Sequence, residues 1–257
     1  MSSGTYIENI PFTLGAGTGS SGKIGLVVLA SDYTIEYEFR QVFDTVDIDF
    51  YTARIANSPT INPATLADMK TRIASTVKLL LPGDTLDVVA YCCTSATVVL
   101  GEATIFKELA SVQAAAKFST PVTAAFAAFK TFGVNSLAVL TPYRTDVNDS
   151  IGSYFANAGY NIEVFGSFNE ELDPQVARID GSSLESAIER LLAEHTVDGV
   201  FVSCTSIRML DQIAELEARF GVPITSSNQA LAWHCLRLAG SDRKPSALGS
   251  LFERSLS

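Results

Sequence analysis

Two histidines, one tryptophan and no apolar run near the ~20 residues needed to span a bilayer show what this 257-residue sequence does without. It contains no C-x-x-C and no H-E-x-x-H, so its four cysteines, Cys92, Cys93, Cys204 and Cys235, do not read as a zinc site with His195 and His234. His195 is expected late in an amphipathic helix and His234, beside Trp233, in another; both are read as structural, and no metal or cofactor is expected. The cysteines form no even framework and two are adjacent, which disulfide geometry disfavours, so reduced thiols are expected. Lys and Arg number 18 against 28 Asp and Glu, a net charge of -10, and no basic cluster alternates with aromatics. That balance repels phosphate backbones and anionic lipid, which excludes nucleic acid and membrane as partners. The opening M-S-S-G-T-Y-I-E-N-I-P-F lacks a basic stretch followed by an apolar one, and the chain is expected to be soluble and cytoplasmic.

With 47% apolar residues the chain can fill one large core or two closely packed halves. The Gly/Ser-rich segment 1–22 is expected to be a flexible arm, followed by a first lobe over 23–130 and a second over 131–257, with the C-terminal helix packing back on the first. Buried strands are predicted at 24–30, 87–92, 122–124, 136–140, 162–165, 197–203 and 222–225 from short β-branched runs between polar residues. Helical spacing appears at Leu66, Met69, Ile73, Val77 and Leu80, behind an Asn62 cap and Pro63, and again at Leu210, Ile213, Leu216 and Phe220. Strand and helix alternate, so the expected class is α/β: two pseudo-symmetric lobes, each a doubly wound parallel sheet, with the site in the cleft between them.

The case for two matched halves is a repeat. Asp87-Val88-Val89-Ala90-Tyr91-Cys92-Cys93-Thr94-Ser95 is echoed by Asp198-Gly199-Val200-Phe201-Val202-Ser203-Cys204-Thr205-Ser206, sharing D-x-V-x-x-x-C-T-S. Cys93 and Cys204 lie 111 positions apart, and the strands that open each half, at Ile24 and Ser136, lie 112 apart. Halves related by a pseudo-two-fold bring equivalent loops to one cleft, where two C-T-S loops present two thiols to one substrate.

Each of these cysteines ends an apolar strand and precedes a Thr-Ser pair able to cap a helix, so its sulfur is expected at a helix N-terminus, where partial positive charge favours thiolate. A free cysteine is most often a small buried hydrophobe, and Cys92 and Cys235, which have no echo, are read so. Two thiols on opposite faces of a carbon suit inversion, one removing a proton and the other returning one. They also suit addition of a thiolate to an activated double bond, rotation and elimination. Gly17-Thr18-Gly19-Ser20-Ser21-Gly22-Lys23 mimics a phosphate loop, but Ile24 stands where a P-loop has Ser or Thr and the stretch leads into a strand, so it is not read as one. Asp32 after the first strand is either a helix cap or a binding group, and Tyr143 holds the equivalent place in the second half. Thr94, Ser95, Thr205 and Ser206 in the cysteine loops, and Thr123, Ser226 and Ser227 at other strand ends, are further candidates to donate to a carboxylate.

From Lys23 to Phe252 the chain resembles the aspartate/glutamate racemase superfamily, in the branch holding maleate cis-trans isomerases and arylmalonate decarboxylases. The two C-T-S loops carry the resemblance, with Thr120-Pro121-Val122-Thr123, Leu140-Thr141-Pro142-Tyr143 and the block from Gly221 to His234. It implies that Cys93 is the cysteine that attacks the double bond in maleate isomerases and Cys204 the partner that exchanges a proton, with Tyr143 as a substrate binder. Arylmalonate decarboxylases carry glycine at the first position, so Cys93 argues against decarboxylation. Ser31-Asp32-Tyr33-Thr34-Ile35-Glu36 falls where the isomerases have S-N-T-T-M-E, and a second carboxylate-binding asparagine falls at Asp173. Two amides replaced by anions imply a substrate with an amine. The expectation is therefore a cofactor-independent racemase or isomerase of a small carboxylate, an amino acid or derivative leading, as in the ectoine-utilisation racemase-like proteins that the chain also resembles. Maleate isomerisation is the alternative, and a small-molecule binder that kept the fold without the chemistry is a third. Whether the chain forms a homo-oligomer stays open.

Overall fold

The computed structural model describes residues 4–45 and 47–256. Residues 4–17 carry no helix or strand and are exposed. The first sheet then follows: β1 (Gly22–Leu29), β2 (Ile48–Ile55), β3 (Val88–Cys92) and β4 (Lys117–Ser119), in the order β2-β1-β3-β4. The second has β5 (Ser136–Thr141), β6 (Asn161–Ser167), β7 (Gly199–Val202) and β8 (Ile224–Ser226), in the order β6-β5-β7-β8. All six pairings are parallel. The two orders are the same permutation of four strands, so the repeat in the sequence is a repeat of topology: two lobes of the same α/β class.

Between the strands run α1 (Ile35–Val42), α2 (Pro63–Asp68), α3 (Ile73–Val77), α4 (Thr94–Leu100), α5 (Glu102–Ala110), α6 (Pro121–Phe132), α7 (Thr145–Asn157), α8 (Asp173–Val176), α9 (Gly181–Ala193) and α10 (Ile213–Phe220), and α11 (Ser227–Leu238) follows β8. The central strands are apolar on both faces, as parallel strands under two helical layers require. α11 is buried along nearly its whole length and packs on α6 and α1. Among the described residues no helix is long and apolar enough to cross a membrane.

Three local expectations are corrected. Residues 122–124 are not a strand but the first turn of α6: the Thr120 hydroxyl caps it by accepting from the Thr123 N–H at 3.1 Å, with Pro121 at the first helical position. The fourth strand is Lys117–Ser119, just before that cap. The helix expected from Leu66 to Leu80 begins as predicted, on a capping box between Asn62 and Thr65. It is broken by a 3-10 turn at Met69–Arg72. Both Ser75 and Thr76 hydroxyls return to the Arg72 carbonyl at 2.9 Å, which competes with a continuous ladder there. His195 lies two residues beyond the end of α9, exposed.

Candidate active site

The Cys93 and Cys204 side chains both line one enclosed cavity between the lobes. Cys93 directly follows β3 and is the N-cap of α4, its Sγ accepting from the Ala96 N–H at 3.4 Å. Cys204 follows β7, and its Sγ accepts from the Ser206 N–H at 3.4 Å. The expected helix N-terminus is present at Cys93 and absent at Cys204: the chain stays irregular from Ser203 to Met209, and the 3-10 turn Leu210–Gln212 leads into α10 only at Ile213.

The expected thiolates are also corrected. Burial pushes the Cys93 thiol up to about 12, against the pull of the Ala96 N–H and the Ser95 hydroxyl. The Cys204 thiol is raised further above the usual range by burial and then by the Asp173 charge. Desolvation outweighs a single helix end, and both thiols rest protonated at neutral pH. All four cysteines are free.

Tyr143, buried just beyond β5, lines the cavity together with both cysteines and Ser95, and burial raises its hydroxyl well above the usual range. Ser95, Thr205 and Ser206 line the same cavity, as does Asp173 at the start of α8. Asp173 accepts from the Ser31 hydroxyl at 2.5 Å and from the Ser206 hydroxyl at 3.1 Å, and burial raises its pKa despite them.

Asp32 is a cap and an unpaired anion at once. Its Oδ1 accepts from the N–H groups of Thr34 and Ile35 at 2.7 and 2.9 Å, while buried Oδ2 has no partner. Burial raises this carboxyl to about 6, and the charge of Asp173 adds to the rise. Asp32 itself is not among the residues that line the cavity.

Two expected binders face elsewhere. The Thr94 hydroxyl pairs with that of Ser227 at 2.8 Å, and Thr123 donates to Glu102 and pairs with Thr120. Both follow from geometry: each points along its helix start to a neighbouring element rather than into the cleft. Ser226 is likewise spent capping α11 through the Gln229 N–H.

The mouth of the cavity was not legible as such. Asn57, Ser58, Thr60 and Ile61, between β2 and α2, line it from the first lobe. Across the cleft Thr60 pairs with Leu172 in an antiparallel bridge, the Ile61 N–H donates to the Glu171 carbonyl at 2.9 Å, and the Asp173 N–H donates to the Pro59 carbonyl at 3.1 Å. The cavity behind this closure is about 20 Å3, room for little more than one water. A cavity of that size must enlarge to admit a substrate. Among the described residues no Lys, Arg or His lines it. Among the described residues no group of three or more His, Cys, Asp or Glu is placed to hold a metal.

A family model described as arylmalonate decarboxylase matches residues 24–252. Arylmalonate decarboxylase from Bordetella bronchiseptica is 32% identical over 139 residues, covering 53% of this chain and 58% of that relative, so the match spans under two thirds of its length. Maleate isomerase from Pseudomonas putida is 22% identical over 228 residues, 84% of this chain and 90% of the relative. Among solved structures, the Nocardia farcinica maleate cis-trans isomerase bound to Tris is similar with a TM-score of 0.82 at 23% identity, over 90% of this chain and 97% of that one. A doubly substituted arylmalonate decarboxylase in its liganded form gives 0.81 at 24% identity, over 90% and 99%. The unliganded decarboxylase gives 0.73 at 25% identity over the same shares, so the chain is closer in shape to the liganded form.

Proposed function

We propose that this chain, which belongs to the arylmalonate decarboxylase family, is a cofactor-independent two-cysteine isomerase acting on a small carboxylate, with racemisation of an amino acid or amino-acid derivative as its reaction. The observation that carries the reading is the meeting of Cys93 and Cys204, from equivalent positions of the two halves, in one closed cavity.

In this reading one sulfur, as thiolate, takes the α-proton from one face while the other thiol gives a proton to the opposite face. The electron pair left at the α-carbon is delocalised into the substrate carboxylate between the two steps. Tyr143 and Ser95 supply hydroxyl donors for that carboxylate, the Ser206 hydroxyl being given to Asp173 and that of Thr205 to the Cys92 carbonyl, and the closed lobes keep water from the carbanion. Because the thiols rest protonated, one of them must give its proton to solvent before the lobes close on the substrate. An ammonium group beside Asp173, in the field of the nearby Asp32 charge, offsets the negative charge that the substrate carboxylate and a thiolate would add. A dicarboxylate finds one anion, Asp173, and no cation at the cavity wall, which favours the amine-bearing substrate.

Maleate-type isomerisation is the second reading, favoured by the similarity to maleate isomerase over 84% of the chain. There Cys93 adds to the double bond and Cys204 gives the proton, and elimination follows rotation. Proton NMR in D2O with L- and D-amino acids, N-acetylated diamino acids and maleate separates the two. Loss of an α-proton signal with inversion supports racemisation, and conversion of maleate to fumarate supports the second reading. Silence across the whole panel counts against both.

A further inference from the structure

We propose that Glu38 is a positioning residue for Cys204, a carboxylate of one half that holds the cysteine loop of the other. The inference rests on the reading of Cys204 as a reacting group, but its test does not depend on turnover.

The two cysteine loops are alike in sequence and unlike in support. After Cys93 the chain enters α4 at once, and that helix's own ladder fixes the loop: the Thr97 N–H and hydroxyl both donate to the Cys93 carbonyl, at 3.1 and 2.6 Å. After Cys204 the next regular turn is delayed to Leu210. The seven residues from Ser203 to Met209 therefore lack a helix to hold them, and the first N–H groups of the delayed turn are orphans of the kind a cap normally satisfies.

Glu38, on α1, supplies what is missing from another element. It is 1% exposed, and its Oε1 accepts from the Met209 and Leu210 N–H groups, both at 2.7 Å. Its Oε2 accepts from Asn228 Nδ2 at 2.7 Å, and the same Nδ2 donates to the carbonyl of Thr205, the residue after Cys204, at 2.8 Å. Four residues earlier on the chain than Glu38, the Thr34 hydroxyl donates to the Ser206 carbonyl at 2.7 Å. The loop is thus held at Thr205, Ser206, Met209 and Leu210, with Glu38 involved in three of the four ties. No cation pairs with Glu38 in this set; backbone and amide N–H groups alone meet the charge.

The Asn228 amide makes the network sensitive to one atom. Both of its bonds in this network use Nδ2, and its Oδ1 has no partner. In Glu38→Gln the new Nε2 opposes Nδ2, donor against donor. Relief requires the Asn228 amide to flip, which turns Oδ1 toward the glutamine and a second acceptor toward the Thr205 carbonyl. The tie at Thr205 is then lost while those at Met209 and Leu210 survive.

The test uses the full chain and iodoacetamide, with mass mapping of the rate at each cysteine. Cys93 and Cys204 share one cavity, so opening of the lobes affects both, and the ratio of their rates reports the local geometry of one sulfur against the other. Glu38→Gln and, as a second variant on a separate tie, Thr34→Val are expected to shift the Cys204-to-Cys93 ratio at least threefold. Ile188→Val, a core change on α9, is expected to leave the ratio alone. An unchanged ratio in the folded variants, or an equal shift in the Ile188→Val control, overturns the proposal.

Discussion

Asp32→Asn should make this protein more stable and less able to use its substrate. The Asp32 carboxyl titrates near 6 in the folded chain against 3.8 when unperturbed, mainly because burial disfavours its charge. About two units at 1.36 kcal/mol each make the ionised form cost on the order of 3 kcal/mol of folding free energy. The sign follows from the raised value: the folded chain holds this proton more tightly, so the contribution to stability is fully present below about pH 4 and is lost as pH rises through about 6. Asparagine keeps an oxygen to accept from the Thr34 and Ile35 N–H groups and puts a neutral amide where Oδ2 has no partner. Urea unfolding followed by circular dichroism at pH 4, 6 and 8 should show a variant close to wild type at pH 4 and about 1–3 kcal/mol more stable at pH 8. With an amine-bearing substrate its KM should rise about 2- to 10-fold, since Asp32 acts on the cavity through its charge and not by contact. A stability difference that stays flat from pH 4 to 8 would refute the argument that Asp32 is a strained anion awaiting a cation.

Other groups give independent checks. Burial lowers the imidazole of His234 to about 4, so its contribution to stability is present above pH 6.5 and lost as pH falls through about 4; His234→Gln should flatten the acid limb of the unfolding curve over that window. Arg237 donates to the carbonyls of Ser241, Arg243, Phe252 and Arg254, fastening the C-terminal segment to α11, and Arg237→Met should cost about 2–4 kcal/mol in urea unfolding. A Cβ on Gly25 would lie 2.6 Å from a Leu86 methyl and 2.9 Å from a Leu80 methyl, so Gly25→Ala should lower stability by about 1–3 kcal/mol in the same assay. Since burial holds the Cys93 thiol near 12, its alkylation rate in the resting protein should keep rising past pH 9, with no plateau in the range of an ordinary free cysteine.

The architecture was legible because parallel strands buried on both faces announce themselves as apolar runs, and because the C-T-S loops recur at the spacing of the lobes. What sequence alone misread has local causes. The run at 122–124 is as apolar as a strand, and only the Thr120 cap and Pro121 mark it as a helix start. β2 went unrecognised because it is an edge strand interrupted by Asp49, Thr52 and Arg54, with no continuous apolar run. Losing β2 also hid the loop from Asn57 to Ile61 that closes the cavity. Asp32, Tyr143 and the two cysteines could be found from their places after strands, and Asp173 only from the family resemblance. Glu38 could not, since a charge on the buried side of a helix looks like any amphipathic misfit until the partner loop is folded against it.

The central claim is that Cys93 and Cys204 work as a pair. The most direct measurement follows deuterium incorporation at the α-carbon, together with inversion, for wild type, Cys93→Ala and Cys204→Ala on the substrate that the panel identifies. Wild type should exchange and invert, and each variant, folded by circular dichroism, should lose inversion altogether. Full inversion by both variants would contradict the two-thiol account.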